Sequence, residues 1–260
     1  MTEPVRSERS GAVVTLVIDR ETRRNALNAD VAAGICAGLD AAEADRSVRA
    51  VVLTGAGDKA FCAGGDLQPN AEGTPFTIDA ADPRHYVAGL IRRMDACRLP
   101  LIARLNGHAL AGGFGLACGC DLVVAREDAL LGVTEVKVGL FPMMILPMLL
   151  RVVPYRVLMD MCLTGEPITA MDAVADRIVN HAVPADALDA KTDWLVSRIV
   201  DKSPTGIRLG KQGLGKIRGM SMDNALEYAQ FMLANMARTQ DAREGFAAFS
   251  EKRAPRWTGE

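Results

Sequence analysis

The chain lacks an excess of either charge: 30 lysines and arginines stand against 32 aspartates and glutamates over 260 residues, a formal net charge of −2. That balance supplies no basic surface for nucleic acid or an anionic membrane, beyond local contacts. Long apolar runs are missing too. The longest, residues 138–150, is broken by Pro142 and Pro147 and falls short of the ~20 residues that span a bilayer. The opening stretch MTEPVRSERSGAVVTLVIDR has charges on both sides of a short apolar run and no small-residue cleavage pattern, so it is not read as a signal peptide. Metal ligands are scarce as well. Three histidines (His85, His108, His181) and one close cysteine pair (Cys118, Cys120) provide no second ligand pair at a metal-binding spacing. The six cysteines therefore read as buried thiols in a reducing compartment, and the expectation is a soluble, cytoplasmic protein with no metal.

What the chain does have is 49% hydrophobic residues and enough length to bury a sizeable core. Short β-rich runs occur at 12–18, 50–54, 101–105 and 121–125, with helix-like stretches at 27–44 and 84–96. The alternation predicts an α/β fold. Past residue 185 the strand signals stop and apolar residues recur at helical spacing over 194–200, 205–216, 222–238 and 242–252. Residues 68–83 carry three prolines among small and polar side chains and are expected to form a loop, mobile without a ligand. No internal repeat or low-complexity tract is present.

Glycines mark the chemistry. GAGDKA at 55–60 formally meets a dinucleotide fingerprint, but that motif must open a helix, and here FCAGG follows with more helix breakers. Nucleotide binding is set aside. FCAGGDL at 61–67 and GHALAGGFGLA at 107–117 are each a Gly-rich turn leading towards a helix, where free backbone N–H groups can point at a ligand oxygen. Two such groups on one carbonyl oxygen make an oxyanion hole, and glycine lets the substrate approach the backbone. The alternative for each turn taken alone is tight helix–strand packing.

FCAGGDL, NGHALAGGFGLACGCDLVVA, GVTEVKVGLFP, the ending EGFAAFSEKRAP and the early RRNALN stand in the order and spacing of the crotonase (enoyl-CoA hydratase/isomerase) superfamily, which this chain resembles over nearly its whole length. The resemblance implies a spiral of repeated β-β-α units over residues 1–200, a C-terminal helical region over 201–260 that contributes to trimer contacts, and CoA thioester substrates. It implies that the backbone N–H groups of Gly65 and Gly112 hold the thioester oxygen. Arg24, Ala26, Leu27 and Ala63 would line the adenosine and pantetheine path, and Phe249 and Lys252 match a pair that contacts CoA, in some members from a neighbouring subunit. On the residues alone, Lys252 reads as a solvated surface charge. No cofactor is implied beyond CoA carried in by the substrate, and the partner copies would form a homotrimer or a dimer of trimers.

The family's hydratases commonly use two glutamates. Here the first position is Gly115 and the second is Glu135. Spacing alone makes Glu135 a surface loop residue; the resemblance makes it an acid–base, with burial beside an acyl chain raising its pKa. One carboxylate suffices to move a double bond from the 3,4- to the 2,3-position, so isomerisation is read ahead of hydration. Hydration by a substitute group, thioester hydrolysis, C–C cleavage and a silent acyl-CoA binder are the alternatives. His85 and Tyr86 fall where the family's acyl pocket is often lined, although a His–Tyr pair at a helix start is more often ordinary packing. Asp66 is read as the cap of the following helix and His108 as structural. Met143, Met144 and Met148 are flexible fillers of an acyl pocket or of the core.

Overall fold

The computed structural model describes residues 3–68 and 85–260. The loop expected at 68–83 lies, apart from Gln68, outside the described residues.

The strands are β1 (Val5–Ser10), β2 (Val13–Ile18), β3 (Ala50–Gly55), β4 (Ala60–Cys62), β5 (Leu101–Leu105), β6 (His108–Leu110), β7 (Leu122–Arg126), β8 (Leu130–Gly132), β9 (Ile168–Thr169) and β10 (His181–Val183). The helices are α1 (Ala29–Ala44), α2 (Tyr86–Asp95), α3 (Gly112–Gly119), α4 (Leu146–Val152), α5 (Tyr155–Thr164), α6 (Ala170–Ala175), α7 (Leu188–Val200), α8 (Pro204–Ile217), α9 (Met222–Met236) and α10 (Gln240–Ser250).

Strands alternate between two sheets, one ordered β1-β2-β3-β5-β7-β10 and the other β4-β6-β8-β9. Each turn of chain gives one strand to each sheet, as in β3/β4, β5/β6 and β7/β8, and successive turns stack in parallel. This is the β-β-α spiral expected of the resemblance. Parallel strands covered on both faces read as unbroken apolar runs, and every residue of β3 is buried. β1 lies antiparallel to β2 at the sheet edge with five of its six residues exposed, and so carries no apolar signal in the sequence.

Two asparagines fix the turn between β3 and β4. Buried Asn25 donates from Nδ2 to the carbonyls of Ala56 (2.9 Å) and Ala60 (2.7 Å). Asn106 accepts the Gly55 N–H (3.0 Å) and donates to the Gly57 carbonyl (2.8 Å). The GAGDKA stretch is thus a clamped strand-to-strand turn and opens no helix. His108 is structural as expected: its Nδ1 accepts the Leu130 N–H at 3.0 Å, joining β6 to β8.

Burial sorts α1 by helical face, with Val31, Ala32, Ile35, Leu39 and Ala42 inward, and Asn28 caps its N-terminus by accepting the Val31 N–H. The C-terminal helices are held to the spiral by polar contacts, among them Lys211 Nζ to Asp121 (2.6 Å) and to the Leu99 carbonyl (2.7 Å). The chain end is fastened by Asp241, 1% exposed, which accepts from Ser203 Oγ (2.8 Å) and from the N–H groups of Thr205, Thr258 and Gly259. Burial pushes this carboxyl up, but those hydrogen bonds outweigh it and hold the group below the ordinary carboxylate value. Its stabilisation is therefore present above that ordinary value and is lost as pH falls through the lowered one. Asp241→Ala leaves several donors unpaired, and denaturant melts at pH 7 are expected to show a loss of about 3 kcal/mol.

All six cysteines are free and buried or half-buried. Among the described residues no helix is long and apolar enough to cross a membrane.

Candidate active site

Two Gly-rich turns meet at the site. The first follows β4. Leu27 donates its N–H to the Gly64 carbonyl and accepts the Asp66 N–H, both at 2.7 Å, and this pairing skips the Gly65 N–H. Gly64 has φ +101°, a conformation open to glycine at little cost. The second turn follows β6. Ala111 donates to the Gly132 carbonyl at 2.8 Å and holds φ 49°, ψ −124°, strained geometry for a residue with a Cβ. That twist starts α3 at Gly112, whose N–H, as the first of a helix, has no intrahelical acceptor.

The turns touch. A Cβ on Gly112 would lie 3.6 Å from the Gly65 nitrogen, and one on Gly64 would lie 3.5 Å from the Gly112 nitrogen. Among the described residues neither the Gly65 nor the Gly112 N–H donates to a protein acceptor. Gly113 explains the next bare position: a Cβ there would sit 2.0 Å from the Cys62 carbonyl oxygen, so glycine is what lets α3 reach β4. The Cys62 thiol beneath is pushed up to about 12 by burial and stays protonated.

Asp66 does not cap a described helix. It pairs with Arg20 at 2.8 Å, and the next described helix, α2, takes His85 as its N-cap. Arg20 also donates to the Ala26 carbonyl at 2.6 Å, tying the first turn to the end of β2. Nothing in the sequence marks Arg20 for this.

Glu135 opens a single 3-10 turn, Glu135–Val138, that follows β8 and is closed by Gly139 at φ 76°. Its Oε2 is buried and, among the described residues, has no hydrogen-bond partner. Burial raises its pKa above the ordinary glutamate value, and the N–H groups of Glu135 and Thr134 offset only part of that.

A cavity of about 410 Å³ collects these parts: Gly65, Ala111 and Gly112 on one side, Glu135 on another, and Leu27, Ala63, Tyr86 and residues 140–145 around them. His85 stacks on Tyr86 with ring centroids 4.4 Å apart, and both line the cavity. Burial lowers the His85 pKa below the ordinary histidine value. Met143 and Met144 line the cavity, whereas Met148 is buried beside it. Of the residues expected on the CoA path, Leu27 and Ala63 are in the lining. Arg24 is exposed, its carbonyl accepting the Ala63 N–H at 3.0 Å, and Ala26 is buried. Phe249, 88% exposed, and Lys252 lie at the end of α10 and outside the lining.

Gly115 has a neighbour that sequence reading missed. A Cβ at 115 would fall 2.3 Å from Ile145 Cγ2 and 2.6 Å from its Cβ. Buried Ile145, itself in the cavity wall, fills the place of a side chain at 115. The only hint is the apolar FPMMILP stretch around it.

The cavity thus combines two neighbouring backbone N–H groups without a protein acceptor among the described residues, a carboxyl with one buried oxygen, and an apolar wall. It can hold an oxyanion and move a proton next to it. Sequence comparison agrees with the geometry: the enoyl-CoA hydratase/isomerase family model matches residues 8–260. The chain is 38% identical over 249 residues to a Thermus thermophilus protein provisionally assigned as an enoyl-CoA hydratase, covering 95% of this chain and 98% of that one. It is 32% identical to (E)-benzylidenesuccinyl-CoA hydratase of Thauera aromatica, covering 98% and 99%. The crystal structure of an enoyl-CoA hydratase from Mycobacterium marinum superposes over the full length of both chains with TM-score 0.89 and 33% identity.

Proposed function

Since this chain belongs to the enoyl-CoA hydratase/isomerase family and acts on acyl-CoA, we propose that it shifts the double bond of a 3-enoyl-CoA to the 2,3-position, with Glu135 as the one acid–base carboxylate. The thioester oxygen takes the N–H groups of Gly65 and Gly112. Glu135 removes a proton from C2, the electron pair passes into the enolate that these donors stabilise, and the same carboxyl returns the proton at C4. Ile145 carries this reading. It closes the space beside Gly115, leaving an apolar wall where a second carboxylate would orient water. CoA enters as part of the substrate. A raised pKa suits a group that must give the proton back.

Hydration of a 2-enoyl-CoA is the second reading, favoured by the names of the relatives and by Tyr86, which reaches the cavity with a hydroxyl 3.5 Å from the Leu27 carbonyl. Incubation of each substrate with the protein in heavy water separates the two. Isomerisation gives a 2-enoyl-CoA of unchanged oxygen content, carrying deuterium where Glu135 has exchanged with solvent. Rapid formation of 3-hydroxyacyl-CoA from the 2-enoyl-CoA, without isomerisation of the 3-enoyl-CoA, would replace the first reading with the second.

Apolar side chains left exposed on the C-terminal helices, including Leu214, Met222, Phe231 and Leu233, support contacts between copies in a homotrimer or a dimer of trimers. In that arrangement Phe249 and Lys252 serve the CoA of a neighbouring copy.

A further inference from the structure

A second cavity, of about 370 Å³, adjoins the first. Ala88, Ile91, Arg92 and Asp95 line one side of it, recurring at the i, i+3, i+4, i+7 spacing of one helix face on α2. Pro147, Met148 and Arg151 of α4 line the other side. Arg151 pairs with Asp95, so an ion pair stands at one end and the walls between are largely apolar. Met143 and Met144 border both cavities.

These two methionines form the boundary between the cavities. They are 64% and 40% exposed, so neither is locked into the core. The segment carrying them joins the 3-10 turn of Glu135 to α4 without regular structure of its own. Methionine is unbranched and flexible, able to repack at small cost. A more rigid side chain would make the boundary a wall.

We propose that Met143 and Met144 are a movable partition through which the acyl chain of the substrate continues into the groove between α2 and α4, making this an enzyme for extended, unbranched apolar acyl groups. This rests on the assignment of the first cavity to an acyl-CoA. The chain runs from the thioester at Gly65 and Gly112, past Glu135, between the two thioethers and along Ala88 and Ile91. Its tip stops short of the Arg151–Asp95 pair, which an apolar terminus has no means to satisfy.

The test uses saturated acyl-CoAs, which have no double bond to shift or hydrate, so it does not depend on which of those reactions the site performs. Calorimetry with hexanoyl- and dodecanoyl-CoA is expected to show the longer chain bound at least tenfold more tightly by the wild-type protein. Ala88→Trp fills the groove beyond the partition and should erase most of that advantage. Ile91→Trp, at a second position on the same face, should do the same and guards against a folding artefact at residue 88. Equal affinity for the two chain lengths, or an advantage that survives both substitutions, would overturn the proposal. Deuterium exchange at C2 of hexanoyl- and dodecanoyl-CoA in heavy water reports on the catalytic reading separately. Exchange that proceeds without any preference for chain length would sink the partition and leave the catalysis standing.

Discussion

Replacing Glu135 with glutamine is expected to lower kcat by about a hundredfold to ten-thousandfold, the usual contribution of a positioned acid–base, while saturated acyl-CoA still binds within a fewfold of wild type. Glutamine keeps the shape of the side chain and loses the proton traffic, so the loss belongs in kcat and not in affinity. Retention of full turnover by this variant would remove Glu135 from the mechanism. For wild type, kcat/KM should rise with pH through the raised pKa of this carboxyl, because the base must be ionised to take the C2 proton. The acid limb should therefore lie above the ordinary glutamate value of 4.5.

The same burial has a stability consequence of opposite sense. A raised pKa means that the folded chain holds this proton more tightly than the unfolded one, so the associated stability is present at low pH and is lost as pH rises through the folded-state value. Glutamine does not ionise. Glu135→Gln should thus melt at a higher temperature than wild type at pH 7 and at nearly the same temperature at pH 4. A buried carboxylate oxygen without a partner is a cost that a catalytic site bears for its function.

Gly112→Pro is expected to cost about a hundredfold to a thousandfold in kcat, the effect of losing one donor from an oxyanion hole. Proline is tolerated at the first position of a helix, and Gly112 holds that position in α3, so the N–H can be deleted without breaking the helix. Gly112→Ala is the control. Its Cβ would meet the flexible Leu27 Cδ1 at 3.1 Å, a contact relieved by a small side-chain shift, and its N–H remains. Activity should fall less than tenfold in the alanine variant. Equal losses in the two would assign the effect to crowding and remove the Gly112 N–H from the site. Circular dichroism melts on both variants check that each is folded.

Strands β2, β3, β5 and β7 and helices α1, α2 and α7 to α10 were legible because each satisfies a local pattern over five residues or more, whereas the exposed edge strand β1 and helix α5 gave no such signal. β3 and β5 read as apolar runs, and α1 and α2 as amphipathic stretches with their ends displaced by one or two residues. β4, β6 and β8, three residues each, are too short to show a period. They are the strands that deliver the two glycine turns and Glu135 to one place. The ion pair of Asp66 was out of reach for a related reason: a capping signal is local, whereas its partner Arg20 is 46 residues away.

The sequence by itself determined the chemistry on offer: two glycine turns with spare N–H groups, a single glutamate at the matching spacing, glycine where a second carboxylate would stand, and the family to which these motifs belong. Only the tertiary structure decided how they combine. That the two turns abut, that Ile145 occupies the space beside Gly115, and that Met143 and Met144 separate two cavities are contacts between residues far apart in the chain or on different elements. Residue type and local spacing encode what a segment tends to form and which groups it carries. Which groups share a cavity is fixed by close packing across segments, where a gap of one methyl group separates an open position from a filled one.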